Sequence, residues 1–200
     1  GSVRITASEI VSTEVLPPIL AGLLAASPQL AIELSVTNAN QDLLRRDADV
    51  AVRMVQPTQL ALVARLCGLI GLGFYAHQSY LRSAGAPSTL AALASHRLIG
   101  PDREALPSII TKLGSPVGPN LLAYRSDNQI AQLAALRAGV GIGICQTPLA
   151  DRDPSLVRVL PEIQFEMPAW VVMHEDLRGS RRVRAVFDHL VDHLAAYARS

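Results

Sequence analysis

Two hundred residues, half of them hydrophobic, suffice for one packed domain or two small ones and argue against intrinsic disorder. A formal charge of +1 and a pI near 8.1 lack the basic excess of a surface that grips nucleic acid. No apolar run is long enough to span a bilayer, so no membrane partner is expected, and the start does not read as a secretory signal. Gly1-Ser2 reads as an expression scar ahead of the first strand, which implies that the natural chain extends further toward its amino end. Cys67 and Cys145 both sit in apolar runs, the pattern of buried reduced thiols, and point to a reducing cytoplasm.

Val3 to Ala7 alternates as a strand. Thr6-Ala7-Ser8 then supplies a cap for a helical run through Val11, Val15 and Ile19, with Pro17-Pro18 starting or kinking its later part. Leu20, Leu23 and Leu24 complete that apolar face before Ser27-Pro28 ends it. Ile32, Leu34 and Val36 alternate with polar residues in a second strand, which runs into the polar turn Thr37 to Asn40. A short helix through Leu43-Leu44 leads to Asp49 to Met54, whose continuous apolar run suits a parallel strand covered on both faces. Strand and helix in alternation are the α/β signature.

Leu62 to Leu72 reads as two strand-like pieces broken at Gly68, with Phe74-Tyr75 continuing the second. Short helices follow at Ser79 to Ala84 and Ser88 to Ala94, then a strand at Leu98-Ile99 and a loop, Gly100 to Pro107, that carries Asp102-Arg103-Glu104. Gly114 to Pro119 is a turn-rich connection. Later strands are expected at Leu156 to Leu160 and Ala169 to Met173. In the last helix Val183, Val186, Phe187, Leu190, Val191 and Leu194 form one stripe, with Ser180 as cap.

The stretch Tyr124 to Pro148 organises the rest. A strand ends at Tyr124, Ser126 or Asp127 caps a helix over Gln129 to Ala138, Ile130, Leu133, Ala134 and Arg137 mark one side of it, and Gly139 stops it. A further strand, Val140 to Cys145, ends at Gln146-Thr147-Pro148. In open α/β sheets the loops after the strands line the ligand crevice, and a helix entrance there is electropositive, so two such caps, at Ser8 and at Ser126 to Asn128, suit a small anion.

Other chemistries lack their patterns. Gly139, Gly141 and Gly143 follow a helix instead of preceding one, so they read as a helix stop and a close strand contact, and no dinucleotide cofactor is implied. His189 and His193 are four apart but lack the glutamate of the zinc-protease motif, and they read as solvated or partner-facing side chains with no metal. No Gly-x-Ser-x-Gly elbow or other catalytic constellation occurs, so no enzyme is expected.

Val3-Arg4-Ile5-Thr6-Ala7-Ser8, Leu16-Pro17-Pro18-Ile19-Leu20, Ser27-Pro28 and Asp49-Val50-Ala51-Val52-Arg53 resemble the first half of the effector-binding region of bacterial LysR-type transcriptional regulators. Tyr80-Leu81 with Gly85-Ala86-Pro87, His96-Arg97-Leu98-Ile99, Ala138 to Ile144, Leu156 to Leu160 and Ser180 to Ala185 are similar to the second half, in the same order. The segment Leu44 to Asp49 departs from the pattern, being shorter than the family's usual leucine, glycine and aspartate spacing.

The resemblance implies two Rossmann-like α/β subdomains of the periplasmic-binding-protein kind, residues 1–73 with 170–200 and residues 74–169, joined by two crossing strands and holding a small effector between them, which the helix entrances suggest is anionic. Carried over position by position, it points to Ser8 with Glu9, Thr37, Asn38 and Arg53 on the first subdomain and to Asn128, Gln146 and Pro148 on the second. It also implies a homodimer through the Val15 to Leu24 helix and a neighbouring strand, a homotetramer for the full protein, and DNA contact only through an amino-terminal winged helix-turn-helix outside these residues. A free-standing solute-binding protein for transport is the alternative. It would carry an export signal upstream, where a regulator carries the DNA-binding element.

Overall fold

The computed structural model describes residues 1–39, 47–106, 110, 112, 114 and 118–200. The expected helix through Leu43-Leu44 and parts of the Thr37 to Asn40, Gly100 to Pro107 and Gly114 to Pro119 connections lie outside the described residues. The chain forms two compact units, Gly1–Ile70 with Met167–Ser200, and Gly71–Glu166.

In the first unit, β1 (Ser2–Ala7) lies between β2 (Ala31–Val36) and β3 (Val50–Arg53), all three parallel. Then come β9 (Phe165–His174), antiparallel to β3, and the first part of β4 (Leu62–His77). One face of this sheet is buried under α1 (Leu16–Ala26) and the final helix α5 (Arg181–Arg199). Val3, Ile5, Val50, Val52, Val171 and Met173 supply the sheet side of that core, and Leu20, Leu23, Val186, Leu190 and Leu194 the helical side. The α5 stripe is therefore the expected one, extended by Tyr197, and Ser180 caps the helix by accepting from the Val183 amide.

Before α1 the chain makes one wide turn, Val11–Val15, in which the Leu16 amide reaches the Val11 carbonyl five residues back. Pro17 and Pro18 explain its place: neither has an amide to give the carbonyls four residues earlier, and a widened turn re-pairs part of the strand of bonds they would break. The α1 to α5 packing also uses His189, whose Nε2 lies 2.9 Å from the Ile19 carbonyl, with the His193 ring stacked on it at 3.9 Å. His189 is half-buried and faces α1, which departs from the solvated one of the two readings, solvated or partner-facing.

In the second unit, β5 (Leu98–Gly100) lies between β6 (Leu122–Arg125) and β7 (Ile142–Gln146), parallel to both, and β4 pairs antiparallel with β7 and with β8 (Leu156–Val159). Helix α2 (Gln78–Ala84) follows β4, α3 (Gln129–Arg137) joins β6 to β7, and a single turn, α4 (Thr147–Ala150), follows β7. Residues 91–95 make a tighter 3-10 turn instead of the α-helix expected from Ser88. The core includes Phe74, Tyr80, Leu93, Leu98, Ile142, Val159 and Phe165, with Phe74 and Phe165 edge to face at 5.6 Å.

Two local expectations are corrected. β4 runs unbroken through Gly68, which continues the strand at a φ of +158° that residues with a side chain rarely adopt. On α3 the buried side is Leu133, Ala135 and Leu136, while Ile130 is exposed: the helix turns its small-residue flank inward as well as its leucines. Gly139 has φ of +80° and ends α3 as expected, and a side chain on Gly141 would collide with the Arg97 carbonyl.

Leu190 is fully buried between α1 and the sheet. Leu190→Ala is expected to cost about 2–5 kcal/mol, read as a lower urea midpoint with unchanged slope.

Candidate functional site

Parallel strands bring their carboxyl ends to one edge, and in each unit the polar residues singled out from the sequence collect there. In the first unit Ser8 and Glu9 follow β1, Thr37 and Asn38 follow β2, and Arg53 ends β3. The Asn38 side-chain oxygen accepts from the Glu9 amide at 3.0 Å, the Thr37 amide donates to the Ala7 carbonyl at 2.9 Å, and the Thr37 hydroxyl accepts from the Ala39 amide at 3.1 Å. The first helical amide after β1 is thus satisfied by Asn38 from the neighbouring strand end. The Ser8 carbonyl accepts from the Ser12 amide at 2.8 Å, as the residue that opens a helix does.

Arg53 is half-buried. Its Nη1 donates to the Val52 carbonyl at 3.2 Å, and its buried Nη2 has no partner among the described residues. Burial pulls its pKa below the ordinary arginine value, though a guanidinium stays charged at neutral pH.

In the second unit Asn128 is the cap of α3, its side-chain oxygen accepting from the Ala131 amide at 2.9 Å. Ser126 supports it by accepting from the Asn128 amide at 3.1 Å. Asp127, offered above as an alternative cap, instead turns to the loop after β5: its Oδ1 accepts from the amides of Asp102, Arg103 and Glu104 at 2.9 to 3.0 Å. A carboxylate has lone pairs enough for three donors, and a row of loop amides is a better partner for a full charge than one helical amide. The Glu104 amide foremost, then those of Arg103 and Asp102, hold the Asp127 carboxyl below its usual range. Gln146 and Pro148 stand at the carboxyl end of β7, both buried, whereas Asn128 is exposed.

No sequence signal marked the two other polar atoms near Arg53 that are buried without a partner, Thr6 Oγ1 and Trp170 Nε1. Only the register of β1, β3 and β9 brings them together. The second unit has a comparable pair, Tyr75 and Arg158, opposite one another in the β4 to β8 ladder, but there the guanidinium donates to the Ile163 carbonyl and lies over the Tyr75 ring.

A cavity of about 70 Å³ inside the second unit is lined by apolar groups such as Phe74, Leu98 and Ile142, with Gln132 the polar exception. It is far smaller than the roughly 300 Å³ at which small-molecule pockets begin. Among the described residues no three His, Cys, Asp or Glu side chains group as a metal site, and no helix is long and apolar enough to cross a membrane. Burial pushes the Cys67 thiol up to about 11, leaving it protonated, and Cys145 is buried and unbridged.

Comparison with known proteins gives a match to the family model described as LysR substrate binding domain over residues 1–195. A curated relative, the Mau operon transcriptional activator of Paracoccus denitrificans, is 34% identical over 65 residues, 32% of this chain and 23% of that protein. The alignment thus spans about a quarter of the relative. The regulatory domain of CrgA from Neisseria meningitidis superimposes with a TM-score of 0.83 at 23% identity, covering 97% of this chain and 98% of that one. Full-length AphB of Vibrio cholerae superimposes with a TM-score of 0.76 at 21% identity, covering 96% of this chain and 68% of that one. At these identities the structural likeness establishes the fold, two α/β subdomains of the periplasmic-binding-protein kind.

Removing the Asp127 carboxylate should release the loop after β5. Asp127→Ala is expected to speed hydrogen exchange at the amides of residues 102 to 104 while those of β7 stay protected. Because the folded pKa is depressed, the stabilisation is present above the ordinary aspartate value and is lost as pH falls through the lowered folded value. Exchange corrected for its intrinsic pH dependence should therefore show the loop opening only in acid.

Proposed function

Because the chain belongs to the LysR substrate-binding domain family, we propose that it is the effector-sensing part of a bacterial LysR-type transcriptional regulator that binds a small anionic metabolite through residues of both units. The family is one of transcription regulators rather than of enzymes, and the role proposed here is binding without turnover. The observation that carries the reading is the gathering of Ser8, Thr37, Asn38 and Arg53 at the carboxyl ends of three parallel strands in one unit, with Asn128 and Gln146 at the equivalent edge of the other. Helix entrances and a half-buried guanidinium favour negative charge.

Sensing requires that the metabolite bind two arrangements of the protein with different affinity, since equal affinity shifts nothing. DNA contact is assigned to a winged helix-turn-helix outside these residues, in a cytoplasmic protein. Self-association is assigned to α1 and to β2, which ends the sheet order of its unit and carries Leu34 and Val36 at 39% and 47% exposure, unusual for aliphatic side chains on a strand. Tetramers are assigned to the full-length protein.

A thermal-shift screen of small carboxylates, amino acids, aromatic acids and sugar acids tests the sensing role. A ligand a hundredfold above its dissociation constant should stabilise the protein by about 2.7 kcal/mol. Ser8→Ala combined with Asn128→Asp keeps the oxygen that caps α3, adds negative charge, and is expected to abolish the shift with little change in the melting temperature of the free protein. A hit that survives both substitutions contradicts the assigned site. Sedimentation of the wild type should show a dimer at micromolar concentration, and Leu34→Glu with Val36→Glu should reduce it to a monomer of unchanged circular dichroism.

A further inference from the structure

On the face of the first unit's sheet turned away from α1 and α5, three hydrogen-bond donors are buried without partners, and they are neighbours in the ladder. Arg53 pairs with Trp170 across β3 and β9. Thr6 pairs with Ala51, two residues before Arg53 and so on the same side of β3, and Ala51 pairs with Val172, two residues from Trp170. The opposite side of β3, Val50 and Val52, belongs to the helical core, which confirms the alternation.

The three groups are Arg53 Nη2, Trp170 Nε1 and Thr6 Oγ1, the last on a side chain only 1% exposed. Leaving a buried donor unmade is costly, and leaving a buried cation uncompensated more so. Among the described residues Arg53 has no ion pair, and burial lowers its pKa. The chemistry is also one-sided. Guanidinium and indole nitrogens only donate, and a threonine hydroxyl donates as well as accepts, so the cluster holds a surplus of donors and a positive charge with no negative one. A carboxylate supplies both, and it matches the fork of a guanidinium.

We propose that Arg53, Trp170 and Thr6 form the anchor for a carboxylate group of the effector, with Arg53 pairing its charge and the indole and hydroxyl donating to its oxygens. The proposal rests on the sensing function above and gives it a ligand class and two residues, Thr6 and Trp170, that the sequence did not single out.

Trp170 is the single tryptophan of the chain, so its indole N–H gives one resolved nuclear magnetic resonance signal that reports on the anchor itself. Acetate and benzoate would be titrated at constant ionic strength, with acetamide and benzamide as neutral counterparts. The expected result is a saturable shift of the indole signal with at least one carboxylate, at least about tenfold weaker with its amide. Arg53→Met should abolish the carboxylate effect, Arg53→Lys should weaken it, and Thr6→Val should weaken it while keeping the preference over the amide. Without ligand, Arg53→Met should melt at the same temperature as wild type or higher, since it removes a half-buried charge that has no ion pair among the described residues, and that melt also verifies its folding.

An indole signal unmoved by either carboxylate, moved equally by the amides, or moved in Arg53→Met as in wild type overturns the proposal and leaves these donors as sites for ordinary water. A neutral metabolite that stabilises the protein in the thermal screen, with the indole unmoved by carboxylates, overturns the anchor alone. A saturable indole shift in a protein that no library member stabilises supports the anchor and counts against the broader sensing role.

Discussion

The parallel alignment of β1 with β2 and β3 is the constraint on which the candidate site depends. It puts three strand ends side by side, so that Asn38 can satisfy the amide of Glu9 and Arg53 can end beside them. Parallel strands require a crossover on the way back, and the crossover from β1 to β2 is α1, whose apolar side buries the same strands that position the polar ends. Core and site are therefore two consequences of one topology. The second unit repeats the logic with β6, β5 and β7, where Asp127 and Asn128 divide the work of holding a loop and capping a helix.

The energetics of the two regions differ in kind. The α1 to α5 core is apolar and closely packed, and its stabilisation scales with the area removed from water. At the strand ends the balance runs the other way, with one nitrogen of a half-buried guanidinium and an indole N–H that lack partners within the described residues. Groups kept in that condition lower the stability of the free protein, and sites where local rules are broken are where binding function is expected. A ligand that completed the bonds would stabilise the folded form by mass action, which connects the unsatisfied chemistry to a measurable change in stability.

Much of the fold was legible because it rests on periodicity. The stripe on α5, the two-sided burial of β3 and the stop at Gly139 follow from spacing and backbone preference alone, and the ordered run of family-like segments named the architecture. What was not legible depended on partners distant in sequence. Asp127 reads as a helix cap until the loop amides of 102 to 104 are brought to it, and nothing local says that Asn38 takes the Glu9 amide. Gly68 reads as a break, yet its φ of +158° keeps the strand going, and His189 reads as solvated or partner-facing until α1 offers the Ile19 carbonyl. Thr6 and Trp170 lie in strands whose pattern speaks only of burial. That their polar atoms lack partners is a fact of register, which no local pattern records.

The central proposal is that the polar strand ends of these units bind a small ligand. The most direct test is a backbone amide spectrum of the labelled protein with and without a saturating hit from the screen. The account predicts concerted, saturable shifts at Glu9 and Arg53 in the first unit and at Asn128 to Ala131 in the second, all with one dissociation constant. Shifts confined to a single unit, or two sets following different constants, would contradict it.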